Sequence, residues 1–459
     1  MQPEAGQNAP LTPMLLPLAV LLELLSLVTD WQPLSILAGV IFIGYFSLFS
    51  LRIRLYSRLL MWVAVTLLVT LVAIGRLNRP GLLEALSAAG FYGAFLGSLG
   101  MMQCLVRRFE VLQRIHDVLL GGQSLFLYPK YAVTSVSLGS VLNFGVMSLL
   151  CGSISQTLDE RGITGESRIN WLRCVLISSL RGFSLVPLVA PTSVAVAIIT
   201  REMPSLSWSQ LVPYGLVASL LLIGVGWVLE KRRFRAVSRE RMPLGQWPVG
   251  TRRLLAVMAT VLGLMMLLVN ATGLNVSQAG MLAVPSVTLG YMFWHNRGGQ
   301  RVSRRALLRE AGDNVVSMGN EMAIFSGSAA LGAGLTILVP PDLIAGIADG
   351  RVSVFGLAIG SLLIMPLFSA MGIIPITVLS ILGGFLPALA AQGVDILAIS
   401  VALMIGFSLA MMFSPMGPAV TLLSRFGRLS PITVAFGWNG LFILVSLPLL
   451  FAMLWLLSP

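Results

Sequence analysis

Apolar runs of about 20 residues, the length that crosses a bilayer, recur along the chain between short polar stretches. They predict membrane-spanning helices near 12–29, 33–50, 58–75, 82–106, 171–200, 209–230, 253–270, 277–294, 313–338, 395–423 and 433–457. Two stretches break the rhythm: 121–154 is rich in Gly and Ser, and 353–391 is long, apolar and bent by Pro366, Pro375 and Pro387. The more polar segment 107–120 (RRFEVLQRIHDVLL) reads as an amphipathic interfacial helix, with His116 on its solvated face.

One apolar stretch occurs twice. Residues 181–201 (RGFSLVPLVAPTSVAVAIITR) and 405–425 (IGFSLAMMFSPMGPAVTLLSR) match at 8 of 21 positions with a constant offset of 224. The matches include Gly182/Gly406, Ser184/Ser408, Pro191/Pro415 and Arg201/Arg425. Each copy is interrupted midway by proline and small hydroxyl residues, the pattern of a broken membrane helix. In lipid a break frees backbone groups that need partners, so it persists only where protein or a polar cavity receives them. A weaker echo pairs Phe95, Gly97 and Ser98 with Phe325, Gly327 and Ser328.

Composition agrees with the pattern. A chain that is 56% hydrophobic and 10% charged, with a mean hydropathy of +0.90, is a polytopic membrane protein rather than an ordinary soluble one. Its net charge of +12 does not point to nucleic acid, because the basic residues lie in short runs between apolar spans. Cys104, Cys151 and Cys174 lack CxxC spacing and read as small core residues. The N-terminus has no basic leader, so the first apolar run is expected to be retained.

The flanks of 121–154 both carry arginines and both belong in the cytoplasm under the positive-inside rule. The two irregular stretches are therefore expected to be re-entrant hairpins, which enter and leave on one face while packed inside protein. That leaves about eleven spans, with 25 of the 30 Lys and Arg on the cytoplasmic side. The N-terminus is then cytoplasmic and the C-terminus external. A unit of five spans and one hairpin covers 33–230 and recurs at 253–457; an odd number of crossings inverts the second copy. Residues 1–32 form an extra N-terminal helix and 231–252 a basic linker, KRRFRAVSRER at its start.

This pattern resembles the ion transporter superfamily, and within it the divalent-anion sodium symporter and arsenite-pump families, through five spans and a hairpin per repeat and the interrupted helices APTS at 190–193 and SPMGP at 414–418. The resemblance implies a secondary transporter and a homodimer. It also implies a scaffold, here 33–106 and 253–338, and a moving transport core, here 121–230 and 353–457. The Ser-Asn-Thr tripeptide that those symporters carry at their hairpin tips is absent, so dicarboxylate or sulfate specificity is not carried over.

Candidate binding residues follow from the physics of broken helices, whose ends present N–H groups and carbonyls that bind an anion and a sodium ion without formal charge. At the breaks these are Pro191, Thr192 and Ser193, and Ser414, Pro415 and Gly417. The hydroxyls have an alternative role in satisfying their own helix backbone. Hairpin-tip candidates are Ser137, Gly139, Ser140 and Asn143 in the first hairpin and Ser369, Gly372 and Thr377 in the second, since a tip needs glycine for its turn and polar groups for its amides. Arg181, inside a span, either attracts an anionic solute, pairs with a carboxylate such as Glu321, or snorkels to the interface. Glu23, outside the repeats, fits a scaffold or lipid-edge role.

No GxxxxGK[ST], HExxH or GxSxG motif is present, so neither built-in ATP coupling nor hydrolase chemistry is expected. The expectation is an all-α secondary active transporter in a bacterial inner membrane. It moves a small anionic solute by an elevator movement coupled to sodium or protons, with no cofactor beyond a coupling Na+ and no partners beyond solute, lipid and a second copy. Two alternatives stay open on sequence: a permease subunit of a multi-component uptake system, and an uncoupled channel or lipid-handling protein.

Overall fold

A computed structural model describes residues 14–106, 108–109, 115–121, 124–142, 144–160, 162–237, 250–296, 303–339 and 353–458. These residues form helices and turns, with no strand among them. Eight helices in the described residues are long and apolar enough to cross a membrane. The apolar runs predict about eleven; of the other three, Leu15–Thr29 and Gln32–Leu48 have only 15 and 17 residues against the ~20 of a typical crossing, and Val276–His295 has 20 residues but is not among the eight. The chain divides into two compact units, Met1–Cys104 with Val284–Ile337, and Leu105–Ala283 with Leu338–Pro459.

The first unit contains α1 (Leu15–Thr29), α2 (Gln32–Leu48), α3 (Leu55–Ala73) and α4 (Arg79–Gly100). α4 is buried almost continuously from Ala85 onwards and is built largely from Ala, Gly and Ser. Small side chains let backbones approach and gain dispersion contacts where lipid offers no hydrophobic drive. Thus a Cβ at Gly39 of α2 would stand only 1.9 Å from the Leu86 carbonyl oxygen, and the Ser35 and Ser87 hydroxyls meet at 2.9 Å. Glu23 is buried in this unit, its Oε2 3.2 Å from where a Gly90 Cβ would lie.

The second unit carries the repeat. Its first half runs α5 (Leu127–Leu142), α6 (Phe144–Glu160), α7 (Gly165–Ser184), the short turn Val186–Val189, α8 (Val194–Glu202) and the long α9 (Trp208–Val237). After α10 (Thr251–Thr272) the chain enters the first unit through α11 (Val276–His295), α12 (Arg304–Ser317) and α13 (Gly319–Leu338). The second half of the repeat then runs α14 (Val354–Ala370), α15 (Pro375–Gly383), α16 (Leu386–Ala391), α17 (Ile396–Phe413), α18 (Pro418–Gly427), a π-helical turn Thr433–Trp438 and α19 (Asn439–Leu457).

Each half holds a helical hairpin and a broken helix. Hairpin one is α5 and α6; hairpin two is α14 and α15, turned by Gly372 at φ 97°, a left-handed value that suits glycine. That turn is a Schellman closure, with Ile373 N–H donating to Phe368 O at 3.1 Å. The repeat-equivalent glycines hold each hairpin against its own broken helix: a Cβ at Gly182 would lie 2.4 Å from Ala132 O on α5, and one at Gly406 would lie 2.8 Å from Leu362 O on α14. The second arms exchange partners. Gly152 of α6 faces Phe426 of α18, and Gly383 of α15 faces Ile198 of α8.

Part of 107–120 differs from the expected interfacial helix. Ile115, His116, Val118, Leu119 and Leu120 are buried, and the His116 ring nitrogens meet Tyr131 OH and Leu150 O, each at 2.9 Å. His116 therefore ties the two arms of hairpin one together instead of facing solvent. His295 is exposed and stacks on Tyr291. All three cysteines are buried and none is joined to another by a disulfide.

Candidate functional site

The two breaks repeat bond for bond. At the first, Ala190 N–H donates to Val186 O at 2.9 Å, Ser193 N–H to Ala190 O at 3.1 Å and Ala197 N–H to Ser193 O at 3.0 Å. At the second, Ser414 N–H donates to Ala410 O at 2.9 Å, Gly417 N–H to Ser414 O at 3.0 Å and Thr421 N–H to Gly417 O at 2.9 Å. Every atom pair is related by the same offset of 224. The backbone follows: Ala190 (φ −81°, ψ 130°) and Ser414 (φ −88°, ψ 111°) leave the helix in extended form, and Ser193 (ψ 149°) and Gly417 (ψ 143°) re-enter it likewise. Proline at 191 and 415 sets this geometry, since it donates no N–H and pushes the residue before it out of the helical region.

The broken helices cross at equivalent positions. Ser408 Oγ donates to Ser184 O, so a residue of one repeat meets its own counterpart in the other, as happens beside a two-fold axis. Pro191, Thr192 and Ser193 are buried. Thr192 Oγ1 donates to Ser140 O in the last turn of α5, and Gly139 faces Val186 and Phe183, so the end of α5 rests on the first break. The tip of hairpin two reaches the second break through Gly372, 3.7 Å from Met416 as judged from an added Cβ. Trp208 Nε1 donates to Val189 O at 3.2 Å, satisfying a carbonyl next to the first break.

Side-chain chemistry differs between the breaks. Ser193 Oγ accepts from Val196 N at 3.2 Å and caps α8, while also donating to Pro187 O at 3.4 Å. Gly417 has no side chain to do this, and Pro418 opens α18 instead. Ser414 Oγ and Ser369 Oγ are fully buried and have no hydrogen-bond partner among the described residues. A buried hydroxyl left unpaired is costly, which makes these two oxygens candidates for a ligand. Thr377 is buried in the first turn of α15; Pro415 is half-buried and Met416 is 63% exposed.

Other candidates fall elsewhere. Ser137 is exposed; Ser135, two residues earlier, is the one that faces α7, donating to Ser179 O at 2.8 Å. Ser140 Oγ returns to its own helix at Val136 O. Asn143 lies outside the described residues, as does the basic linker from 238 to 249. Glu321 is half-buried in the first turn of α13, in the first unit, where a carboxylate favours the helix amino end. Its neighbour Asn320 accepts from Arg54 N–H at 2.7 Å.

Arg181 is 2% exposed and is held on several sides. Its ion-pair partner is Glu230, at 3.3 Å, where the sequence pointed to Glu321. Nε donates to Asn439 Oδ1 at 3.0 Å and Nη2 to Trp438 O at 2.8 Å, and the guanidinium stacks 4.2 Å above the Phe442 ring centroid. Glu230 also pairs with Arg233, and Asn439 Nδ2 donates to Met412 O, just before the second break, at 3.3 Å. Arg181 is thus neither snorkelling nor free to attract an anion; it fixes the start of α19 and, through Asn439, the lip of the second break. Glu230 and Asn439 went unread in sequence. Their signal was a lone carboxylate at the foot of an apolar helix and an amide inside an apolar run.

These features define a polytopic helical membrane protein built on paired broken helices and helical hairpins. No family model matches the sequence, and no curated protein matches it. Among solved structures the chain is similar to the YdaH transporter of Alcanivorax borkumensis, with a TM-score of 0.59 and 15% sequence identity over 87% of this chain and 98% of that one. At such identity the likeness shows the fold.

Proposed function

We propose that this protein is a secondary active transporter of a small anionic solute, with sodium as the coupling ion, built on two inverted repeats as in the ion transporter superfamily. The observation that carries the reading is the bond-for-bond repetition of the two breaks about the Ser184–Ser408 crossing. Opposed broken helices aim positive amino ends and loosened carbonyls at one locus, which suits an anion and a sodium ion together. The likeness in fold to a transporter points the same way.

Sodium is favoured over protons because the chemistry beside the breaks is hydroxyl and carbonyl oxygen. Among the described residues the buried carboxylates are Glu23, in the other unit, and Glu230, which two arginines hold. In this reading Ser414 and Ser369 lend oxygens to the ion, Thr192 and Ser193 line the solute side, and Ser140 and Gly372 mark re-entrant tips that act as gates. A transport core of 121–230 and 353–457 moves relative to a scaffold, the chain works as a homodimer in a bacterial inner membrane, and its N-terminus is cytoplasmic.

A melting panel identifies the solute, since a ligand that binds only the folded state raises the melting temperature. Small carboxylates, sulfate and phosphate are each tested with and without sodium. The anion that shifts melting is then offered, radiolabelled, to proteoliposomes under an imposed sodium gradient. Accumulation that follows the gradient supports the proposal. Uptake that needs an added soluble binding protein, or that only equilibrates, points to the permease-subunit or channel alternatives and overturns it.

A further inference from the structure

The geometry points to a binding site for one anionic phospholipid on the outer face of α9 and α19. An open groove of 510 Å³ runs there, and every residue lining it is apolar or glycine. Leu220, Gly224 and Val228 of α9 form one wall, and Val445 and Leu449 of α19 the other. Leu220 is 69% exposed and Val228 55%, so the protein itself does not fill the space. From Val217 to Val228 the wall spans about 16 Å at 1.5 Å per residue, close to half of the ~30 Å hydrocarbon core. One acyl chain of a single leaflet has that reach.

Gly224 is the second indication. Glycine inside a helix is unfavourable by about 1 kcal/mol relative to alanine, and the other two glycines of α9, Gly215 and Gly226, are matched to Leu188 O and to the Tyr128 side chain. A Cβ on Gly224 would meet nothing within 4 Å. The missing side chain hollows the groove for something outside the polypeptide.

Charge fixes the class of that occupant. The stripe Val217, Leu221, Gly224, Val228 advances by alternating steps of four and three, and the next two steps fall on Lys231 and Arg235. α9 continues unbroken to Val237, so both cations stand on the face that lines the groove. Arg232 and Arg235 are exposed and Lys231 is half-buried, whereas Arg233 turns to Glu230. An apolar trough that ends in three cations matches an anionic glycerophospholipid, its chain between the helices and its phosphate on Lys231, Arg232 and Arg235.

The test is native mass spectrometry of the full-length protein in detergent, with phosphatidylglycerol or phosphatidylcholine of the same acyl chains added at equal concentration. The expected result is retention of phosphatidylglycerol at least about tenfold above phosphatidylcholine, within the range that three juxtamembrane cations supply. Gly224→Phe, which has room to fill the hollow, abolishes retention of the lipid. The triple variant Lys231→Gln, Arg232→Gln, Arg235→Gln lowers phosphatidylglycerol to the level of phosphatidylcholine. Both variants keep the wild-type melting temperature in lipid-free detergent. Equal retention of the two lipids, or unchanged retention in either variant, overturns the site. So does conversion of a dimer to a monomer by Gly224→Phe with lipid retention intact, because the groove would then be a contact between copies.

Discussion

The two breaks have one backbone and two chemistries. The same hydrogen bonds close both, yet the first is sealed by its own hydroxyls while the second leaves Ser414 Oγ buried with no partner among the described residues. Position 181 is a clamped arginine in the first repeat, and its counterpart is Ile405. A repeat therefore dictates where a helix opens, and individual side chains decide which opening has oxygen to spare. The first break holds its hydroxyls in protein hydrogen bonds, and the second is the one with a side-chain oxygen to spare for an ion.

Making the repeats alike at Arg181 should have the largest effect. Arg181→Ile removes a buried cation from Glu230, Asn439 and Trp438, and about 3 kcal/mol of stability should go with it, as for other broken buried pairs. Adding Glu230→Leu should restore more than half. Detergent melting curves check both, and an unaffected single variant would mean that the asymmetry carries no weight.

The glycines come next. Gly182→Ala meets Ala132 backbone at 2.4 Å, while Gly406→Ala meets Leu362 O at 2.8 Å and a Met365 side chain that can yield. Overpacking of this kind destabilises by about 1–3 kcal/mol, with the first position at the upper end and the second at the lower. Equal losses would indicate that both crossings are equally tight.

A smaller effect separates the serines. Ser193→Ala should cost about 1 kcal/mol, the usual value of a helix cap. Ser414→Ala removes no protein hydrogen bond, so its melting temperature without ligand should match wild type within error. A large loss for Ser414→Ala would give that hydroxyl a structural role.

Much of this was legible in the sequence, for identifiable reasons. Proline next to small hydroxyl residues inside an apolar run has few meanings in a membrane helix, so both breaks could be located, and the repeat offset aligned them. Which serine of α5 faces inward could not be read: Ser135 and Ser137 differ by two residues, about 200° of helix rotation, and only the placement of α7 selects Ser135. His116 was misjudged because Arg107, Arg108 and Arg114 surround it in sequence, whereas Tyr131 and Leu150 surround it in space. Glu230 fell at the last residue of the predicted span 209–230, beside the basic linker; its burial against Arg181 depends on a contact 49 residues away in sequence. Long-range pairs leave no local periodicity to detect.

The sharpest test is a sodium titration of the melting temperature at constant ionic strength, with choline replacing sodium, on wild type, Ser193→Ala and Ser414→Ala. If the second break holds the ion, wild type and Ser193→Ala rise with sodium over the same concentration range, and Ser414→Ala needs roughly tenfold more, the equivalent of one lost oxygen ligand at about 1.4 kcal/mol. A melting temperature indifferent to sodium, or one that responds identically in all three proteins, would contradict it.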